Sequence, residues 1–180
     1  MPIEIEAKAY AKNLKVIEEK MINIGAKLVW QGKQVDTYYN HPSRNFAETD
    51  EALRVREEGD KTVLTYKGPK IDTLTKTREE IKVQLKDTSS IKELLKRLGF
   101  KEVGVVKKHR MKFFLDEFKI CLDKVEGLGE FVEIEAASHS KESNVKVTAL
   151  RNRILMTFDQ LGLKDMERRS YLELLLEKSR

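Results

Sequence analysis

Apolar and charged residues alternate strictly in several short stretches of this chain. The first stretch is the clearest, and its alternating residues are Ile3, Glu4, Ile5, Glu6, Ala7 and Lys8. A period of two is typical of a β-strand with one apolar and one polar face. A stretch far downstream likewise places Glu133 and Glu135 on one face. The pattern therefore predicts strands that carry charged side chains on a single side.

The same pattern predicts eight strands in all. Besides the first ten residues, they cover residues 27–40, 52–58, 61–68, 78–85, 100–115 and 118–126 and the segment that carries Glu133 and Glu135. Between two of them, Gly59 and Asp60 are typical of a hairpin turn.

Apolar residues at helical spacing, with polar cap residues before them, predict the helices. The predicted helices run from the cap Asn13 to Gly25, from the cap cluster Thr88-Ser-Ser to Leu98, from the cap Ser140 to about residue 161, and over residues 166–178. Strands and helices in this arrangement predict one α+β domain over residues 1–180.

The composition fits a folded protein in a reducing compartment. The 180 residues carry a formal net charge of +5, with a pI near 9.1, which favours anionic partners without choosing among them. There is one cysteine, and no stretch approaches the roughly 20 apolar residues of a membrane span. Glu4 and Glu6 stand where a signal peptide would need basic residues. We therefore expect a cytoplasmic protein with no membrane partner.

The charged faces of the strands belong together. Their members are Glu4, Glu6, Lys8, Arg54, Arg56, Lys67, Arg78, Glu80, Lys82, Lys108, Arg110, Asp123, Glu133 and Glu135. Helices cannot bury apolar stripes against such faces, because the desolvation cost is too high. On a flat sheet these faces would simply be wet, whereas in a closed barrel of about eight antiparallel strands they would line a water-filled interior. We predict the closed barrel.

A barrel interior lined by both basic and acidic side chains is suited to binding a polyphosphate together with a metal ion. Basic side chains can hold a polyphosphate from several directions, and arginine binds phosphate in a bidentate manner. Carboxylates would repel phosphate directly, so they would act through Mg²⁺ or Mn²⁺. Phosphoryl transfer commonly divides the work in this way.

The motifs, in order, resemble those of the CYTH superfamily, the triphosphate tunnel metalloenzymes. Glu4-Ile-Glu-Ala-Lys8 is similar to the family's ExExK motif, and the resemblance spans nearly the whole chain. The other matching segments are Asp36-Thr-Tyr38, Leu53-Arg-Val-Arg56, Thr65-Tyr-Lys-Gly68, Arg78-Glu-Glu80, Lys108-His-Arg110, Cys121-Leu-Asp123 and Leu128–Glu135. The ending Ser170–Leu175 is similar to that of the class IV adenylyl cyclase branch.

The resemblance implies roles for particular residues. Metal ligands would come from Glu4, Glu6, Glu80, Asp123, Glu133 and Glu135. Substrate-binding residues would be Lys8, Arg54, Arg56, Lys67, Lys82, Lys108 and Arg110, of which Lys8, Arg56, Lys67 and Arg110 would act in catalysis. Which of Glu133 and Glu135 contacts the metal stays open. Phe131 faces inward by parity, either to plug one end of the tunnel or to contact a substrate ring.

The resemblance implies an enzyme that acts on a triphosphate with Mg²⁺ or Mn²⁺, and it leaves the reaction open. Cyclisation of ATP to cyclic AMP and pyrophosphate ranks slightly ahead of hydrolysis of thiamine triphosphate, a nucleoside triphosphate or tripolyphosphate. A polyphosphate-binding module without turnover is a third hypothesis. Specific nucleic-acid binding is not expected, because the basic residues share strand faces with carboxylates. A homodimer through the helices or outer strands also stays open.

Overall fold

The computed structural model describes residues 2–70, 77–139 and 144–179, and most of the polar segment over residues 69–76 lies outside them. The described strands are β1 (Pro2–Tyr10), β2 (Lys27–Asn40), β3 (Ala52–Glu58), β4 (Lys61–Lys67), β5 (Arg78–Leu85), β6 (Lys101–Leu115), β7 (Phe118–Val125) and β8 (Gly129–His139). The described helices are α1 (Leu14–Asn23), α2 (Phe46–Thr49), α3 (Thr88–Arg97), α4 (Asn144–Leu161) and α5 (Tyr171–Lys178).

The eight strands close into one antiparallel barrel, which confirms the predicted fold class. Their order around the barrel is β1-β5-β4-β3-β2-β6-β7-β8. Because side chains alternate across a strand, each strand turns one set of residues into the lumen and the other outward. Closure leaves no open sheet edge within the barrel.

Helices cover the outer face of the barrel on two sides. Helices α1 and α4 pack over β1, β7 and β8, where Ile5, Ile120 and Ile134 are fully buried between the layers. On another side Leu95 of α3 and Phe46 of α2 pack against Val55 of β3. The apolar faces are therefore buried under helices and the charged faces are left to the lumen, as the alternation predicted.

The C-terminal helix has a different place, at one end of the barrel. Tyr171 and Leu174 of α5 pack against Val106 of β6, Val125 at the end of β7 and Phe131 near the start of β8. The rings of Phe131 and Tyr171 lie 5.0 Å apart, and Tyr10 packs on the other side of Phe131 at 4.6 Å. Phe131 is therefore part of an apolar plug.

Several helix boundaries differ from the predictions. Asp87, rather than the Thr88 cluster, caps α3, because its side chain accepts a hydrogen bond from the Ser89 N–H. The last helix begins at Tyr171 and not at residue 166, because Ser170 and Glu173 form a capping box there. The short α2 was not predicted, since four residues carry no periodic signal.

Of the two other predicted helix caps, one is confirmed and one lies outside the described residues. The predicted cap Ser140 lies outside the described residues, while the cap Asn13 is confirmed. Across the described part of the chain, no helix is both long and apolar enough to cross a membrane.

Candidate active site

The barrel lumen contains a cavity of about 540 Å³ whose walls are largely charged. Most of the predicted site residues line it, namely Glu4, Glu6, Arg54, Arg56, Lys67, Glu80, Lys82, Lys108, Arg110, Glu133 and Glu135. Two predicted residues, Lys8 and Asp123, are buried without lining the cavity. The lumen therefore brings together side chains from all eight strands.

On one side of the lumen, carboxylates hold the arginines in place. Asp36 of β2 lies directly opposite Arg56 of β3, and it accepts hydrogen bonds from Arg56 Nε at 2.6 Å and from Nη2 at 2.7 Å. Such a bidentate pair fixes the plane of the guanidinium as well as its position. Asp36 is fully buried. It therefore supports Arg56 from behind the cavity wall.

The same arrangement recurs on the neighbouring pair of strands. Arg110 of β6 lies directly opposite Asp123 of β7, donates to Oδ1 from Nε at 2.6 Å, and donates from Nη2 to both Asp123 Oδ2 and Glu133 Oε2. The ammonium of Lys108 lies 3.6 Å from Asp36 and 3.6 Å from Asp123, so it joins the two pairs. We call Asp36, Arg56, Lys108, Arg110 and Asp123 the arginine region.

The charged side chains of the arginine region shift one another's pKa values. Burial by itself raises the pKa of Asp123, yet Arg110 and Lys108 outweigh it and lower this pKa to about 2. Burial opposes ionisation of Asp36 as well, but Arg56 and Arg54 hold its pKa well below the usual range. Burial, together with Arg110, lowers the pKa of Lys108. Both aspartates are therefore ionised at neutral pH and charge-matched to the arginines.

On the opposite side of the lumen, glutamates surround a lysine. Lys67 Nζ lies 2.5 Å from Glu4, 3.2 Å from Glu80 and 3.9 Å from Glu6. We call these four residues the glutamate region. Unlike the two aspartates, its three carboxylates line the cavity itself.

Glu135 adjoins the glutamate region, whereas Glu133 contacts Arg110. Glu135 lies beside Glu4, and its Oε1 lies 2.7 Å from Lys119 Nζ. Burial raises the pKa of Glu135, against the effect of Lys119, and the nearby Glu4 raises it further. For Glu4, burial is outweighed by Lys67 and Lys82, which hold its pKa well below the usual range. The pKa values of the two neighbouring carboxyls are therefore shifted in opposite directions.

Lys8 points toward the plugged end of the barrel. Its ammonium donates to the Arg169 carbonyl at 2.5 Å and lies 4.1 Å from the centre of the Tyr171 ring. The Tyr171 hydroxyl in turn donates to Asp123 Oδ2 at 2.8 Å. Lys8 is therefore placed between the plug and the charged lumen, and the cavity is lined by Tyr171 rather than by Lys8.

Sequence analysis missed several residues of the lumen. Asp36 was recognised in a motif but given no role, although its parity on β2 turns it inward beside Arg56. Tyr171 belongs to the last predicted helix, whose periodic pattern does not show that it lies at one end of a barrel. Lumen parity along β6 also includes Lys112, whose ammonium lies 2.5 Å from Glu58 of β3. The sequence pattern already places Lys112 on one face with Lys108 and Arg110, although the motifs give it no role.

The glutamate region fits a hard divalent cation in its donor chemistry. Its carboxylate oxygens already converge on one positive group, the Lys67 ammonium, and such cations prefer carboxylate oxygens. Among the described residues, no three His, Cys, Asp or Glu side chains are arranged around one point as a ready metal site. Lys67 and Lys82 would therefore have to shift for Glu4, Glu6 and Glu80 to bind a metal together.

The described strands thus form a closed eight-stranded barrel whose lumen sets basic side chains against carboxylates. The chain matches the CYTH domain over residues 2–171, and it belongs to the CYTH family. The resemblance seen in the motifs is thereby confirmed.

Particular relatives extend this finding. The chain is 38% identical over 172 residues to a Methanocaldococcus jannaschii protein named as a candidate adenylate cyclase, which covers 96% of this chain and 98% of that one. A solved structure, PH1819 from Pyrococcus horikoshii, is 43% identical with a TM-score of 0.87, covering 97% and 99% of the two chains. A Hippeastrum protein described as having a dominant triphosphatase activity is 16% identical with a TM-score of 0.67, covering 99% and 96%, and shares the fold alone.

Proposed function

We propose that this protein is a divalent-metal-dependent enzyme that binds a triphosphate in the lumen and cyclises ATP to cyclic AMP and pyrophosphate. The observation that carries the proposal is the lumen itself, where guanidinium and ammonium groups from several strands face carboxylates across one cavity of about 540 Å³. A polyanion entering this space meets cations on several sides. The low effective dielectric of such a site strengthens these contacts.

The basic residues would bind and orient the phosphates. Arg56 and Arg110 are held by Asp36 and Asp123, so little side-chain freedom is lost when they bind an anion. The remaining phosphate contacts would come from Arg54, Lys67, Lys82 and Lys108, and Lys8 would act from the plugged end. Preorganised donors of this kind stabilise the charge that develops as a phosphoryl group is transferred.

The carboxylates would hold Mg²⁺ or Mn²⁺. We assign this role to Glu4, Glu6 and Glu80, which line the cavity, and to Glu135, which adjoins them. A bound Mg²⁺ or Mn²⁺ would supply Lewis-acid polarisation of phosphate oxygens. Asp123 is a weaker candidate ligand, because Arg110, Lys108 and Tyr171 already engage it.

In cyclisation the ribose 3′-oxygen forms a bond to the α-phosphorus. The bond between this phosphorus and the oxygen that bridges it to the β-phosphorus breaks, and pyrophosphate is released. The basic lumen residues would hold the pyrophosphate as its charge develops. Two features favour this reaction over hydrolysis: the ending Ser170–Leu175, which resembles that of the class IV cyclases, and the name of the M. jannaschii relative.

Hydrolysis of a triphosphate is the second candidate. The observation that favours it is the Hippeastrum protein, in which the same fold is described with a dominant triphosphatase activity. Water would then attack the terminal phosphorus of thiamine triphosphate, a nucleoside triphosphate or tripolyphosphate. The same arginines and carboxylates would serve, because the two reactions differ in which phosphorus lies at the reacting position.

Product analysis distinguishes the two reactions. The protein is incubated with ATP, thiamine triphosphate or tripolyphosphate, each with Mg²⁺ or Mn²⁺, and the products are separated. Cyclic AMP with pyrophosphate from ATP supports the cyclase, whereas a diphosphate with free phosphate supports the hydrolase. Binding of tripolyphosphate without any product would indicate the binding module, and the absence of both binding and turnover would contradict the proposal.

A further inference from the structure

Thr65 of β4 presents a hydroxyl that the rest of the described chain does not use. Thr65 is 1% exposed and lines the lumen cavity. Within the described residues, its Oγ1 has no hydrogen-bond partner. Buried polar side-chain atoms in folded proteins usually have a partner, so an unpaired hydroxyl at a cavity wall indicates a group that a ligand completes.

The strand directly opposite carries a second unused donor. Arg54 of β3 is paired in register with Thr65, and its Nε is also buried without a partner among the described residues. The nearest carboxylate contact of Arg54 is Asp36 Oδ2, at 3.7 Å from Nη1. Arg56, two residues along the same strand, differs because Asp36 binds it in a bidentate manner.

Thr65 also lies opposite Lys82 of β5. A basic residue therefore flanks the hydroxyl on each side, and all three side chains line the cavity. Residues that are directly opposite across antiparallel strands have Cβ atoms about 4.5–5.5 Å apart, close enough for one anion to contact neighbouring members of the row. Lys82 itself reaches Glu80 at 2.5 Å. Arg54 and Thr65 consequently keep the unused donors.

We propose that the Thr65 hydroxyl is a further substrate contact, which donates a hydrogen bond to a phosphate oxygen held by Arg54. This assignment rests on the proposed function, since it names the triphosphate as the ligand. The hydroxyl can rotate to donate, and phosphate oxygens accept hydrogen bonds strongly. Thr65 would then help to fix the position of one phosphate along the tunnel.

The test compares two threonines of the same strand. Thr65→Val removes the unused hydroxyl and keeps the shape of the side chain. Thr62→Val is the matched control, because Thr62 is also buried but its hydroxyl bonds to that of Thr88 at the start of α3. Calorimetry measures binding of tripolyphosphate with Mg²⁺, and thermal unfolding without tripolyphosphate measures stability.

The two variants should show opposite effects. We expect Thr65→Val to weaken tripolyphosphate binding about ten-fold, the loss of one hydrogen bond to a charged group, with an unchanged or raised Tm. Thr62→Val should bind as the wild type does and lose about 2–4 °C in Tm. Thr65→Ser, which keeps the hydroxyl, should retain most of the affinity.

The outcomes that would contradict the role of Thr65 differ from the outcome that would contradict the proposed function. Wild-type affinity in Thr65→Val, with the fold intact, would overturn the role of Thr65 while leaving the proposed function standing. An equal loss of affinity in Thr65→Ser would show that shape rather than the hydroxyl matters, which also overturns it. A wild-type protein that binds neither tripolyphosphate nor ATP and turns over neither of them would overturn the proposed function itself.

Discussion

The arginine region and the glutamate region contain the same kinds of charge in opposite arrangements. In the arginine region the carboxylates of Asp36 and Asp123 lie behind the guanidinium groups, fully buried, and the arginines face the cavity. In the glutamate region the carboxylates face the cavity, and the Lys67 ammonium lies among them. On one side of the lumen, the carboxylates therefore hold the basic groups that face the cavity. On the other side, the carboxylates themselves face the cavity.

Side-chain length explains much of this difference. Asp36 lies directly opposite Arg56 and Asp123 directly opposite Arg110, and each short carboxylate accepts hydrogen bonds from the Nε and Nη2 atoms of its arginine. Glu4 and Glu80 are longer and reach further into the lumen, where they meet Lys67. Glu80 also lies directly opposite a basic residue, Lys67, yet it lines the cavity. A carboxylate on the lumen face of a strand is therefore not by that fact a metal ligand, because side-chain length decides whether its oxygens face the cavity.

The largest effect is expected from Asp36→Asn in the arginine region. This change leaves Arg56 and its neighbours without their buried counter-charge, and losing one partner of a buried pair commonly costs about 3–5 kcal/mol. We expect a fall of several degrees or more in Tm, together with weaker triphosphate binding. Calorimetric unfolding and binding of tripolyphosphate measure the two effects.

Asp60→Asn is the control for this change, since Asp60 is exposed in the turn between β3 and β4. It should alter neither stability nor binding. If Asp36→Asn were as stable as Asp60→Asn, the support role of Asp36 would be wrong.

The glutamate region should respond in activity rather than in stability. We expect Glu4→Gln to lower metal-dependent turnover about 100-fold or more, because an amide cannot replace an anionic oxygen ligand, while the fold stays intact. Turnover with Mg²⁺ or Mn²⁺ and circular dichroism check the two statements. Glu19→Gln on the outer surface of α1 is the control, and a Glu4→Gln variant as active as Glu19→Gln would refute the assignment.

The alternation of residues was enough to predict the closed barrel and its charged lumen. It worked because parity alone decides which face a side chain takes, so Glu4, Arg56 and Lys108 could be placed inward without knowledge of their neighbours. Asn13 as a helix cap was equally local, since it bonds to N–H groups two and three residues away.

Pairings between distant strands could not be predicted in this way. Lys108 joins Asp123 of β7, the hairpin neighbour of β6, to Asp36 of β2, which becomes a neighbour of β6 only when these distant strands pair. The contact of Lys8 with the Arg169 carbonyl spans 161 residues, and it depends on where α5 packs. Parity places such side chains on a face, but the packing of the whole barrel decides their partners.

Lowering the pH should weaken the ion pairs of the arginine region over a defined pH range. The pKa of Asp123 falls from 3.8 to about 2 on folding, so its contribution is full above pH 4 and is lost as the pH falls through about 2. This contribution is about 2 kcal/mol. We expect the difference in unfolding free energy between wild type and Asp123→Asn, measured with urea, to shrink by that amount from pH 5 to pH 2. A difference that stays constant over this range would contradict the ion pairing of Asp123.

The smallest expected effect concerns Lys82, at the edge of the glutamate region. Its side chain is 49% exposed, and its ammonium lies 2.5 Å from Glu80 and 3.7 Å from Glu4. An exposed ion pair contributes about 1 kcal/mol or less and is screened by salt. We expect Lys82→Gln to weaken tripolyphosphate binding up to about five-fold at low ionic strength, and the loss should nearly vanish in 0.5 M salt. If the loss of affinity persists at high salt, Lys82 contacts the phosphate in a buried position. The glutamate region would then bind phosphate in the same way as the arginine region.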